Sequence, residues 1–139
     1  MSKLGVWDDN TVTPRGGLYF NEVWGYVDGS GNEYAVMGSP AEVHFIDVTD
    51  PTNPTLVQAI AGTYSSIWRD VKSYGNYVYG VHDGSGAGTF EGLSIYNMSA
   101  LPGGTITKTI LNADFGRAHN IFIDEPNKRL YVAGSNTLS

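Results

Sequence analysis

Short runs of alternating apolar and polar residues make up most of this chain, and clusters of glycine, proline, asparagine and aspartate separate them. Apolar residues at the helical spacing of three and four are nearly absent, whereas β-branched and aromatic residues recur in short runs. The pattern predicts an all-β fold, either a propeller or a sandwich. Turn signals such as Asp28-Gly29-Ser30-Gly31 lie between the runs. The predicted strands are Glu33–Met37, Glu42–Asp47, Thr55–Ala59, Trp68–Ser73, Tyr77–His82, Gly92–Asn97, Thr105–Ile110, His119–Asp124 and Arg129–Ala133.

A repeated unit runs through the chain. Each copy begins with a short segment, followed by a turn and a second strand, and the three segments are Trp24-Gly25-Tyr26, Trp68-Arg69-Asp70 and Ala118-His119-Asn120. Their starts are 44 and 50 residues apart, which is the size of a four-stranded propeller blade. We therefore favour a β-propeller over a sandwich, and we expect the three segments to occupy the same place in successive blades.

The repeat divides a single domain of 139 residues into four parts. Residues 1–20 form an N-terminal segment that could supply an added strand, 21–62 a first blade, 63–112 a second blade and 113–139 a partial third blade. A closed propeller needs at least about four blades, so one chain is not expected to close the ring. Open blade faces and unpaired strand edges predict self-association.

Charge and composition exclude several classes of partner and site. The 8 Lys and Arg against 14 Asp and Glu give a net charge of −6, which disfavours nucleic acid as a partner. The absence of cysteine excludes disulfides, zinc-thiolate sites and cysteine nucleophiles. No apolar run reaches the roughly 18 residues of a membrane helix, and no basic-then-apolar leader opens the chain.

A family resemblance rests on five stretches: Asn21–Asp28, Glu33–Ala35, His44–Pro54, Ser66–Lys72 and Ala118–Ile121. They resemble the choice-of-anchor B proteins, which are extracellular bacterial proteins built from LVIVD-type propeller repeats. The resemblance implies a secreted or cell-surface protein attached through a C-terminal anchor, with no defined biochemical activity. Because an anchor and the later repeats of that family are missing, we expect a fragment or a shortened relative.

The first strand of each propeller blade lines a central channel, so polar residues on these strands should converge. This predicts a channel-facing site of Arg69, Asp70, Arg117, His119 and Asn120, able to bind an anion or a cation. A structural role is the alternative, since buried charges must be paired. Asp70 would then pair with a neighbouring arginine or bond backbone amides between blades, and His119 would satisfy a carbonyl.

A glycine-rich loop carries two further carboxylates, Asp83 and Glu91. Calcium prefers carboxylate and carbonyl oxygens on a bendable backbone, so these residues are candidate metal ligands. The twelfth position counted from Asp83 is Ser94, however, and the EF-hand pattern needs a glutamate there. We predict no cofactor and keep calcium as an alternative.

These observations predict a binding or scaffold module with a small-molecule or glycan ligand. Aromatic residues that alternate with small ones, such as Trp24 and Trp68, would either pack between blades or form a platform for sugars. The alternative is a metal-dependent or hydrolytic enzyme that uses Asp70 and His119 at the channel. No Gly-x-Ser-x-Gly nucleophile motif supports acyl transfer.

Overall fold

The computed structural model describes residues 2–84 and 90–136. In these ranges the backbone forms ten β-strands and no helix, and therefore no helical segment that could cross a membrane. The predicted all-β fold is confirmed. The strands are β1 (Glu22–Val27), β2 (Glu33–Gly38), β3 (Glu42–Asp47), β4 (Thr55–Ala61), β5 (Arg69–Tyr74), β6 (Tyr77–His82), β7 (Leu93–Asn97), β8 (Thr107–Leu111), β9 (Asn120–Asp124) and β10 (Arg129–Ala133).

The strands form three antiparallel sheets in which neighbours in the chain are neighbours in the sheet. Sheet 1 contains β1 to β4, sheet 2 contains β5 to β8, and sheet 3 contains β9 and β10. The segments 21–62, 63–112 and 113–139 each contain one of these sheets. Strand β1 contacts β5, and β5 contacts β9, so the first strands of the three sheets lie side by side.

The turn predicted at Asp28 is confirmed, and the aspartate side chain closes it. Its carboxylate accepts hydrogen bonds from the backbone amides of Ser30 at 2.8 Å and Asn32 at 2.9 Å, and from the Tyr34 hydroxyl at 3.0 Å. A short polar side chain that bonds the backbone ahead of it stabilises a turn locally. These bonds hold the β1–β2 connection independently of the rest of the fold.

Two apolar cores join the sheets. The first lies between sheets 1 and 2, where the Phe45 and Tyr96 rings meet with centroids 5.3 Å apart. The second lies between sheets 2 and 3, where Val81 packs with Ile121. Successive residues of a strand point to opposite faces. The first core comprises Tyr26, Tyr34, Val36, Val43, Phe45, Val71, Val78, Tyr96, Met98 and Ile106, and the second comprises Val81, Ala118 and Ile121 with Tyr79, Leu93, Phe115, Leu130 and Val132 around them.

The strand pairing corrects the predicted alignment of the first repeat. Trp24 is the third residue of β1, whereas Trp68 directly precedes β5 and Ala118 lies two residues before β9. Val71 and Ile121 hold equivalent positions in the register, and Trp68 and Ala118 each lie three residues before them, so these two residues do correspond. Trp24 does not occupy the place of the other two. The cause is loop length, because residues 28–32 connect β1 to β2 whereas only Gly75 and Asn76 connect β5 to β6.

The register gives the correct correspondence between sheets 1 and 2. Tyr26 pairs with Tyr34, and Tyr74 pairs with Tyr77. Tyr34 and Tyr77 each pair in turn with the last residue of the third strand of their own sheet. Tyr26 and Tyr74 are therefore equivalent.

The N-terminal segment, residues 2–20, adds no strand to a sheet and contains only an isolated bridge between Arg15 and Leu18. Instead it packs on sheet 1. The rings of Trp7 and Phe20 lie 5.5 Å and 5.8 Å from the ring of His44 on β3. His44 points away from sheet 2, because its neighbour Phe45 points towards it. Burial lowers the pKa of His44, which favours a neutral imidazole beneath these rings.

Gly92, just before β7, occupies a position that other residues cannot adopt without strain. Its φ is +58°, and a Cβ there would lie 2.2 Å from the carbonyl oxygen of Leu111. Its amide donates to the Gly116 carbonyl at 2.8 Å, so the close approach joins sheet 2 to the β8–β9 connection.

We expect Gly92→Ala to lower the free energy of unfolding by at least about 2 kcal/mol, because alanine disfavours positive φ and its methyl group would overlap the backbone. Gly29→Ala is the matched control, since Gly29 has open space around it. The control should keep or raise the stability by up to about 1 kcal/mol. Urea unfolding followed by circular dichroism measures both, and equal stability of the two variants would contradict the prediction.

Candidate functional site

Arg69, predicted to face a channel, holds sheet 2 against sheet 1. Its guanidinium is buried and donates to the backbone carbonyls of Ser39 at 2.7 Å, Pro40 at 2.9 Å and Tyr64 at 3.0 Å. Burial lowers the pKa of Arg69, although arginine remains charged at neutral pH. The carbonyl oxygens compensate this buried charge, as the structural alternative requires.

Asp70, the next residue, holds sheet 2 against sheet 3. One carboxylate oxygen accepts a hydrogen bond from the backbone amide of Ile121 at 2.7 Å and lies 3.5 Å from the side-chain amide of Asn120. The other oxygen forms an ion pair with Lys72. Asp70 thus bonds a backbone amide of the neighbouring sheet, which was one of the two structural roles considered from the sequence.

The structure does not bring Asp70 and His119 together as a catalytic pair. The ring of His119 is exposed, and its Nδ1 lies 3.3 Å from a carboxylate oxygen of Asp83. The hydroxyl of Ser66 lies 2.8 Å from the other oxygen of Asp83. This order differs from that of a hydrolytic triad, in which the imidazole lies between the serine and the carboxylate.

Asp83 lines an exposed cleft, which we call the Trp68 cleft, and His119 lies at its margin. The cleft lies where β6 ends and where β5 and β9 begin, so it is formed by connections rather than by sheet faces. Its volume is about 280 Å³. His119 lies beside the cleft, where it contacts the Asp83 carboxylate. The lining residues are Arg15, Ser66, Ile67, Trp68, Asp83 and Gly84.

Trp68 gives this cleft a flat apolar surface. The side chain is 51% exposed and belongs to neither core. Its ring centroid lies 6.2 Å from that of His119, at an interplanar angle of 57°. The backbone amide of Trp68 donates to the Ser66 hydroxyl at 3.0 Å, which fixes the approach of the chain to β5. An indole, an imidazole and a carboxylate therefore share one accessible surface.

A larger groove of about 790 Å³ lies at the opposite ends of β1 and β5. In this groove the Trp24 indole donates to the Ser73 hydroxyl at 3.0 Å. The ammonium of Lys72 lies 4.3 Å from the centre of the Trp24 ring. The smaller Trp68 cleft is the better candidate site, because the Trp68 ring is more exposed than that of Trp24, whose N–H and ring are already engaged by Ser73 and Lys72.

Glu91, a predicted metal ligand, is buried and saturated with protein donors. One carboxylate oxygen accepts hydrogen bonds from the Ser94 hydroxyl at 2.9 Å and from Lys108. The other accepts from the Thr63 amide at 2.8 Å and from His82 at 2.9 Å. An ionised carboxylate offers about four lone pairs, so none remains for a calcium ion.

The electrostatics of Glu91 follow from these bonds. Burial alone would raise the pKa of Glu91, but hydrogen bonds from His82, Lys108 and Thr63 outweigh it and hold the pKa well below its usual range. The intervening residues 85–89 of the predicted calcium loop lie outside the described residues. Within the described ranges, no group of three histidine, aspartate or glutamate side chains could hold a metal.

The remaining predicted site residues lie apart from the Trp68 cleft lining. The Arg117 amide donates to the Asn136 side chain at 2.8 Å, while its guanidinium makes no hydrogen bond or ion pair within residues 2–84 and 90–136. Asn120 is exposed, and its side-chain amide lies 3.5 Å from a carboxylate oxygen of Asp70. The sequence did not select Arg15 or Ser66 as site residues, because neither belongs to a strand of the repeat.

Comparison with protein-family models, with curated proteins and with solved structures finds no match to this chain. The resemblance to the choice-of-anchor B proteins therefore remains an expectation from sequence.

We expect Asp70→Ala to lower the free energy of unfolding by about 1–3 kcal/mol, because it leaves the buried Ile121 amide without an acceptor. Asp114→Ala, at an exposed position, is the matched control and should change stability by less than about 0.5 kcal/mol. Chemical unfolding measures both variants. If both lose the same amount, Asp70 does not join the sheets.

We also expect the bonds to Glu91 to make folding sensitive to acid. A carboxyl group whose pKa is lowered in the folded state stabilises the fold above its unfolded pKa of about 4.5, and this contribution disappears as the pH falls towards the folded value. Glu91→Gln should therefore unfold with a weaker pH dependence below pH 5, and should be about 3 kcal/mol less stable at pH 7.

The control for this experiment is Glu125→Gln, in the exposed β9–β10 turn. It should keep both the stability at pH 7 and the acid dependence of the unchanged protein. An acid dependence of Glu91→Gln identical to that of the control would show that Glu91 is not the group responsible.

Proposed function

We propose that this chain is part of a cell-surface β-propeller module that binds a glycan in the Trp68 cleft and has no catalytic role. The sheet arrangement supports the propeller. The three sheets follow one another as simple meanders, and their first strands form a row. In a propeller the first strand of each blade lies innermost, which gives the same arrangement. The cell-surface setting is supported by the sequence resemblance alone.

We infer the class of ligand from the half-exposed indole of Trp68, which lies beside the Asp83–His119 pair. A sugar ring has an apolar face of C–H groups and a rim of hydroxyls. An exposed aromatic face can pack against the first, and a carboxylate and an imidazole can hydrogen-bond the second. Binding sites commonly combine an apolar surface with a few convergent polar groups.

The position of the cleft also supports a binding role. In a meander of antiparallel strands, the β2–β3 and β6–β7 connections lie at the same end as the β4–β5 and β8–β9 connections. The Trp68 cleft lies at this end. Connections held by a rigid scaffold are common sites of ligand binding. The hydrolytic alternative has less support, because Ser66 contacts the carboxylate of Asp83 rather than an imidazole.

The test is calorimetric titration with three soluble oligosaccharides: cellohexaose, chitohexaose and mannohexaose. We expect at least one to bind, and Trp68→Ala to weaken that binding at least about tenfold, because an exposed aromatic anchor contributes strongly. Trp24→Ala is the matched control, since Trp24 lies in the other groove and should keep its affinity within about twofold.

Asp83→Asn should also weaken binding, since it removes the negative charge that accepts the sugar hydroxyls. The absence of binding for all three oligosaccharides, or equal effects of Trp68→Ala and Trp24→Ala, would overturn the proposed glycan site.

A further inference from the structure

Each packed pair of sheets joins two different surfaces, which we name by their direction. The back face of a sheet packs on the preceding sheet, and its front face packs on the following one. Val71 on β5 is fully buried in the core with sheet 1, and Ile121 on β9 is buried in the core with sheet 2. Both are therefore back-face residues of a first strand.

The back face of sheet 1 carries the same kind of residue without a cover. Val23 lies three residues before Tyr26, and Val71 lies three residues before Tyr74. Because Tyr26 and Tyr74 are equivalent, Val23 is the counterpart of Val71. Its side chain is 62% exposed, and Val27 beside it on the same face is similarly exposed. Sheet 1 therefore presents an unpacked back face of the type that is buried in sheets 2 and 3.

The front face of sheet 3 is open in the corresponding way. Val36 on sheet 1 and Tyr79 on sheet 2 point to the following sheet and pack in the two cores. Gly80 and Val132 are equivalent, because each pairs with the back-face residue of the first strand of its sheet. Tyr79 and Tyr131 directly precede them and are therefore counterparts. Tyr131 is 50% exposed.

Phe122 enlarges this open surface. It pairs with Tyr131 across β9 and β10, with ring centroids 6.5 Å apart, and it is 63% exposed. Two adjacent aromatic rings on one sheet face are a substantial apolar surface.

The open part of each face lies at its first strands. In the described part of the chain, sheet 3 consists of β9 and β10. On sheet 1, Trp7 and Phe20 cover the back face at His44 on β3, while Val23 and Val27 on β1 are exposed and Ala35 and Met37 on β2 are half-buried. The uncovered region of sheet 1 thus lies on β1 and extends in part to β2.

From this correspondence we propose that a second copy of this chain packs the back face of its sheet 1 on the front face of sheet 3. The contact repeats the packing that joins sheets 1 and 2 and sheets 2 and 3 within one chain. It uses two different surfaces, so it is a heterologous, head-to-tail contact that produces a ring or an open chain of copies. The proposal depends on sheet packing and is independent of the glycan site.

Two substitutions test the contact from opposite sides. Val23→Asp places a charge on the back face, and Tyr131→Asp places one on the front face; both side chains are exposed in the single chain, so the fold should tolerate them. Sedimentation velocity over a wide range of protein concentration measures the mass. We expect the unchanged protein to exceed the mass of one chain, and each variant alone to associate at least about tenfold more weakly.

Mixing the two variants gives the decisive measurement. A Val23→Asp copy keeps an intact front face, and a Tyr131→Asp copy keeps an intact back face. An equimolar mixture should therefore form dimers that grow no further. Leu18→Asp, at an exposed apolar position of the N-terminal segment, is the control and should associate like the unchanged protein.

Several outcomes would overturn the proposal. These are a monomeric unchanged protein at every concentration, single variants that associate normally, or a mixture that stays monomeric although each variant is folded by circular dichroism. If an aspartate variant does not fold, Val23→Thr and Tyr131→Ser replace it and should give the same pattern of complementation.

Discussion

Sheet 2 needs a neighbour on each side, because both of its faces are apolar. Val78 points into the core with sheet 1, and the next residue, Tyr79, points into the core with sheet 3. The alternation of a β-strand forces this division. Arg69 and Asp70 use the same alternation for polar contacts, since one reaches the carbonyls of sheet 1 and the other reaches an amide of sheet 3. Apolar burial holds the sheets together, and the two charged residues fix their relative positions.

Nine of the ten described strands and the turns between them could be predicted from local signals, whereas β1 was expected only as the first segment of the repeat. Asp28 closes a turn with residues next to it in the chain. The role of Asp70 was harder to predict, because its carboxylate accepts a hydrogen bond from a backbone amide 51 residues away in the chain. The local sequence around a polar residue on an inner strand is the same whether its side chain binds a ligand or an otherwise unpaired backbone amide. Loop length was also hard to predict. The longer β1–β2 connection shifts Trp24 away from the position equivalent to Trp68.

The polar residues of this chain fall into two physical groups. Arg69, Asp70 and Glu91 are buried and bonded by protein partners, so they contribute to stability. Asp83 and His119 are accessible and lie beside the exposed ring of Trp68. Burial and saturation separate the two groups, and neither property can be obtained from residue type. This is why Arg69 and Asp70, which the sequence selected for binding, have structural roles.

The packing of Trp7 and Phe20 on His44 has a consequence for solubility. These two rings shield the outer half of sheet 1, where His44 and Ile46 would otherwise meet solvent. A protease that trimmed residues 2–20 would extend the exposed apolar surface of β1 towards β3, and larger exposed apolar surfaces promote aggregation. Residues 2–20 therefore cover the β3 part of the sheet that follows them.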